Sequence, residues 1–222
     1  MEEDVKTVRP YRSPKREAQA AATRAEIADA AHRLFAVRGY VSTTLTDIAG
    51  AAGVAVPTVK LAYGTKRAVL LEAWERAVHG GLDPRPVVEQ DWFTEMLATP
   101  DPREHLRLKI AGSIPVSGRV APLVEVIKAA AQSDPEIAAL WETIQTESRN
   151  TQRLTIQALQ RKGQLRDGLT EDEATDLLYT LNHGTYHTLV DRLGWSTQRY
   201  EQWLSQTLIE QLLAPTRGPA PR

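Results

Sequence analysis

The chain has no cysteine, which excludes a disulfide framework, a thiolate metal site and a cysteine nucleophile, and suits a reducing compartment. It has no run of about 18 apolar residues, and Met1 to Arg24 is polar and charged, so neither a membrane span nor a signal peptide is expected. The expectation is a cytoplasmic protein without a membrane partner. Aromatic residues are few, at 6%, in an otherwise ordinary globular composition of 42% hydrophobic and 25% charged residues. With 222 residues, one or two domains are expected. A basic excess is lacking too: 27 Lys plus Arg face 28 Asp plus Glu, an average that argues against a nucleic-acid partner. The average hides a division. Residues 1 to 76 carry 12 basic and 9 acidic residues, whereas residues 77 to 222 carry 15 and 19.

Residues 1 to 17 mix both charges with Pro10 and Pro14 and read as a flexible arm, or alternatively as a basic arm that touches DNA. From Ala18 the pattern is helical. Ile27, Ala30, Ala31, Leu34 and Phe35 share one face, and Gly39 stops the helix. Thr44 with Asp47 forms an Asp variant of the capping box before a helix over 45 to 52, and Pro57 sits in the first turn of another over 56 to 63. Thr65 caps a fourth, which ends at Gly80. Further on, the spacing predicts helices near 90–98, 102–117 (with Pro115 ending or kinking it), 119–132, 135–162, 171–193 and 196–213. No useful alternating strand run occurs, so the fold class is all-α with about nine helices. Residues 215–222, with three prolines from Pro215, read as a flexible tail.

The informative block is Thr44 to Tyr63. Two short helices crossing at a tight turn need a small residue at the contact, a glycine in the turn and apolar inner faces. Ala49, Gly53 and Val59 supply these at the required spacing, with Ile48, Ala52, Val54 and Ala62 inside. This is a helix-turn-helix pattern. Its second helix leaves Val56, Pro57, Thr58, Lys60 and Leu61 on an outer face that suits the major groove.

Over Thr23 to Trp74 the chain resembles the TetR family of transcriptional regulators, through Leu34-Phe35-Ala36, Gly39-Tyr40, Thr43-Thr44, Asp47-Ile48-Ala49, Ala52-Gly53-Val54, Tyr63-Gly64-Thr65-Lys66 and Leu70-Leu71. The resemblance implies a homodimer that binds a palindromic double-stranded DNA operator, usually as a repressor, and releases it when a small-molecule effector fills the C-terminal domain. It also implies that Thr44, Tyr63 and Lys66 touch phosphate and that Val56, Pro57, Thr58 and Lys60 face bases. The sequence departs from the family pattern at three places. Ala55 stands where Ser is frequent and removes a side-chain cap; Pro57 replaces Gly or a polar residue; Lys60 replaces Tyr, as a cation suited either to a guanine edge or to a phosphate.

The expected domains are a DNA-binding unit over 18–80 and a ligand-binding and dimerisation unit over 84–214. In the latter, Trp92, Phe93, Met96, Trp141, Tyr179, His183, Tyr186 and His187 are pocket candidates by chemistry, although aromatic and Met residues at helical spacing equally serve a core. Leu181, Leu189, Trp203, Leu208 and Leu212 are candidates for a four-helix dimer interface, or for an intrachain core. His183 and His187 lie four apart without a third ligand beside them, so no metal and no cofactor are expected. A helical enzyme is the rival from another class, but no nucleophile elbow, phosphate-cradling loop or acid-histidine set supports it. A non-specific architectural DNA binder would need more positive charge.

Overall fold

Nine α-helices account for most of the described residues, which are 14–80, 85–163 and 165–215 of the computed structural model. They are α1 (Pro14–Arg38), α2 (Leu45–Ala51), α3 (Val56–Tyr63), α4 (Lys66–His79), α5 (Asp91–Ala98), α6 (Pro102–Ala131), α7 (Pro135–Gln160), α8 (Glu171–Gly184) and α9 (Thr197–Leu212). Residues 1–13 of the expected arm and 216–222 of the expected tail lie outside the described residues. Residues 14–17 do not belong to an arm: α1 begins at Pro14, whose fixed φ suits a first helical turn, with Glu17 favourably placed near the positive end of the helix dipole.

Asp101, Asp134, Thr170 and Ser196 each accept a backbone N–H at the start of their helices, and Pro102 and Pro135 occupy first turns. Two expected elements are corrected. The helices near 102–117 and 119–132 are one 30-residue helix, α6, that runs through Pro115 and Pro122. A proline inside a helix loses one hydrogen bond and costs about 3 kcal/mol. That cost is offset here because α6 is buried along its length, with Leu106 and Ile110 in one core and Leu123, Val126 and Ile127 in another. By hydropathy α6 is apolar enough to cross a bilayer, but much of that apolar surface is spent on these two cores.

The second correction concerns the helix expected over 171–193, which divides into α8 and a π-helical turn, His187–Arg192. At the break the Thr185 hydroxyl lies 2.6 Å from the Leu181 carbonyl and 2.9 Å from the Tyr200 hydroxyl. A side chain thereby takes a carbonyl that the helical ladder would otherwise use.

The first core joins α1, α2, α3 and α4 to the C-terminal half of α6 and the start of α7, through residues such as Ile27, Phe35, Ile48, Leu70, Leu123 and Ile137. The second joins the N-terminal half of α6 to the end of α7, α8 and α9, through Leu106, Ile156, Leu178, Tyr200 and Leu204. Between the cores the buried side of α6 turns polar at Lys109, Ser113 and Ser117, three residues spaced by four and therefore in one row.

Candidate nucleic-acid interface

Thr44 fixes the start of α2. Its hydroxyl accepts from the Asp47 amide at 3.1 Å, and the Asp47 carboxylate accepts from the Thr44 amide at 2.9 Å. Donation from the Thr44 side chain and backbone holds the Asp47 carboxyl below the usual carboxylate range. After α2 the chain reverses at Gly53, whose φ of +67° is a left-handed conformation that favours glycine. α2 and α3 meet at 109°, inside the range of helix-turn-helix units. Ile48, Ala49 and Val59 are buried where they meet.

This packing decides what faces outward. On α3, Pro57, Lys60 and Leu61 are exposed, Leu61 to 90%, while Thr58 is half-buried. Val56 is half-buried and packs against the core, so it faces outward less than Pro57 and Lys60. No side chain caps α3 at Ala55, and Pro57 lies in its first turn. The first turns of α1 run beside this face: Arg16, Gln19 and Thr23 border a cleft with Thr58 and Leu61. That neighbour is a consequence of the earlier start of α1.

Tyr63 and Lys66 are engaged within the domain. The Tyr63 hydroxyl donates to the Arg24 carbonyl at 2.8 Å, and the Arg24 guanidinium stacks 4.3 Å from the Tyr63 ring centroid and donates to the Ala62 carbonyl. Burial, then the charge of Glu72, pushes the Tyr63 hydroxyl up to about 12. The Lys66 amine donates to the carbonyls of Tyr40 and Thr43 at 2.8 and 2.9 Å and lies 4.2 Å from the Tyr40 ring centroid. These contacts tie α3 to α1 and α4 to the turn before α2. Arg24, a residue not singled out in the sequence, is central to the first of them.

A cavity of about 80 Å³ lies where the two cores meet. Trp74 and Val78 of α4, Trp92 of α5 and the Lys109, Ser113, Ser117 row of α6 line it, with Thr151 of α7 and Asn182 of α8 opposite. Of the pocket candidates among the described residues it gathers Trp92 alone. Phe93 and Met96 are buried core residues, Trp141 packs on the first core, and Tyr186 belongs to the second. Tyr179 is half-buried away from the cavity lining, and the His187 ring meets the Asp191 carboxylate at 2.9 Å. The His183 side chain lies outside what the structure describes. Lys109, Ser113 and Ser117 do not stand out in the sequence, because polar residues at helical spacing read as a solvent face.

Leu208 and Leu212 are fully buried within the chain, so they serve the intrachain core and not a dimer surface. Leu181, Leu189 and Trp203 are half-buried against the same core and keep part of their surface outward.

Residues 27–73 match the model of the bacterial regulatory proteins of the tetR family. No curated protein sequence matches the chain. Among solved structures, the chain is similar to a transcriptional regulator from Saccharomonospora viridis in complex with choline, at 24% identity and a TM-score of 0.68 over 88% of this chain and 100% of that one. It is similar to the fatty acid degradation regulator FadR from Bacillus halodurans, at 19% identity and a TM-score of 0.64 over 93% and 98%. The ketosteroid transcriptional regulator KstR2 of Mycobacterium tuberculosis matches at 19% identity and a TM-score of 0.62 over 86% and 95%. Residues 27–73 therefore carry a segment that matches the bacterial regulatory proteins of the tetR family, and the chain as a whole shares the fold of the transcriptional regulators it resembles.

Proposed function

We propose that the protein is a homodimeric repressor that binds a palindromic operator through α3 and releases it when a small molecule occupies the cavity between the cores. The observation that carries this reading is the double role of α4. It packs on the helix-turn-helix unit through the first core, and its Trp74 and Val78 form a wall of the cavity. A ligand that prefers a displaced α4 shifts the population toward dimers whose two α3 helices no longer match successive major grooves, about 34 Å apart.

We assign DNA contact to the outward residues Thr44, Pro57, Thr58, Lys60 and Leu61, with Arg16 and Thr23 of α1 beside them. Tyr63 and Lys66 hold the helices in register. The functional division is residues 18–80, extended at its start by the first turn of α1 from Pro14, for DNA and 84–214 for effector and dimerisation. The dimer surface is drawn from Leu181, Leu189, Leu193 and Trp203, of which Leu193 is 64% exposed. That the Saccharomonospora viridis relative was solved with choline supports a small-molecule effector.

The test is to recover and sequence the genomic fragments that the purified protein binds. One enriched inverted repeat with half-site centres about one or two helical turns apart is expected. Fragments without any enriched repeat would point to an architectural binder and overturn the reading.

A further inference from the structure

Lys109 is 2% exposed, yet its amine makes no hydrogen bond or ion pair among the described residues. The Trp92 ring centroid lies 5.5 Å from Nζ, and His105, one turn back on α6, also feels the Lys109 charge, which disfavours its protonation. A buried ammonium is costly unless it is paired, and a ring face recovers only part of the lost hydration. Burial pushes the amine down to about 8, which leaves it protonated at neutral pH. A charge kept in such a place is poised for a counter-charge that arrives from outside.

The cavity around it specifies that counter-charge. Among the described residues that line it there is no carboxylate, no histidine and no second cation. One positive charge suits a monoanion better than a dianion. The hydroxyls of Ser113, Ser117, Ser148 and Thr151 and the amides of Gln152 and Asn182 are the neutral polar groups within the same walls, and Asn182 Oδ1 already accepts from Ser113 at 3.0 Å. Trp74, Trp92 and the valines of α4 and α6 offer an apolar surface for the remainder of a ligand. The volume of about 80 Å³ limits that remainder to a compact group.

We propose that the effector is a small organic monocarboxylate whose carboxylate pairs with Lys109 while its compact apolar body rests between Trp74 and Trp92. This rests on the effector-release reading above and adds the charge of the effector to it. A cation such as choline, with which one similar regulator was solved, would be repelled by Lys109.

The experiment compares matched compounds on the full-length protein: propionate, butyrate and benzoate, each beside its primary amide and its corresponding primary amine. Binding is read by tryptophan fluorescence, since two tryptophans line the cavity, and release from the selected operator is read in parallel. At least one acid is expected to bind at millimolar or lower concentration, with its amide at least tenfold weaker and its amine silent. Lys109→Met is expected to abolish the preference of acid over amide, and Lys109→Arg to retain it. Thermal melting of both variants verifies that they fold. An amide or amine that binds as well as its acid, acid binding that survives Lys109→Met, or no acid binding at all would overturn the proposal. An acid that binds through Lys109 and leaves the operator complex intact would support the anion site and refute the effector-release reading. An uncharged or cationic compound that binds in the cavity and releases the operator would do the reverse.

Discussion

The guanidinium Nε of Arg119 donates to the carbonyl of Ala77 at 2.7 Å, joining the middle of α6 to the last turn of α4. The Arg119 carbonyl is in turn 3.0 Å from Nε2 of His32 on α1, so one residue of α6 holds both long helices of the N-terminal unit. A second tie runs from Arg76 on α4 to Asp29 on α1 at 3.1 Å. Movement of α4 in response to the cavity must break or carry these contacts. Hydrogen bonds from charged groups contribute about 1.5–3 kcal/mol. Arg119→Met is therefore expected to lower stability in urea by about 1–3 kcal/mol; an unchanged midpoint would show that this tie has no energetic role.

Capping gives a prediction of opposite sign. Ala55 leaves the start of α3 without a side-chain partner, whereas Thr44 satisfies the start of α2. Ala55→Ser is expected to raise stability by about 0.5–1 kcal/mol, and Thr44→Ala to lower it by about 1 kcal/mol. Both are read from urea midpoints, and equal effects of the same sign would contradict the assignment of the caps.

A third prediction concerns pH. His105 is fully buried, with Nε2 3.2 Å from the Thr155 carbonyl and Nδ1 2.8 Å from the Lys162 amine. Burial first, and then the charge of Lys162, pushes its pKa down to about 4. The unfolded chain, with an ordinary histidine pKa near 6.5, binds this proton more readily than the folded one. Stability is thus fully present above about pH 6.5 and falls as the pH drops toward 4, by about 3 kcal/mol from this group. Urea midpoints of wild type and His105→Gln at pH 7 and pH 4.5 check it: the acid loss should be smaller in the variant. An equal loss would place the acid sensitivity elsewhere.

Gly112 sets the position of Trp92. A Cβ at Gly112 would lie 2.1 Å from Cε3 of the Trp92 ring, closer than atoms can pack. Gly112→Ala should force the indole from the cavity wall, shift the tryptophan emission and cost about 1–3 kcal/mol. An unaltered spectrum with unaltered stability would show that the ring has room to spare.

Much of the fold was legible because the signals were local. Capping residues, positive-φ glycines and the 3.6-residue period each depend on a few neighbours in sequence, which is why α2, α3 and α4 fall where their caps and stops place them. What escaped depends on contacts distant in sequence. Burial against two cores carries α6 through Pro115 and Pro122, and the Tyr200 hydroxyl meets Thr185 across the fold where α8 breaks. The outer face of α3 followed from periodicity, but the inward tilt of Val56 and the engagement of Tyr63 and Lys66 required their partners Arg24, Tyr40 and Thr43. The cavity row of α6 was hidden because polar residues at helical spacing read as surface until both flanks are known to be buried.

The most direct test of the central claim is an anisotropy titration of the selected inverted-repeat duplex against a scrambled duplex of equal length, at physiological salt, with wild type and Lys60→Ala. A regulator that reads sequence through α3 should favour the repeat by at least about a thousandfold, and Lys60→Ala should weaken its binding to the repeat. Equal affinity of the wild type for both duplexes would contradict the account.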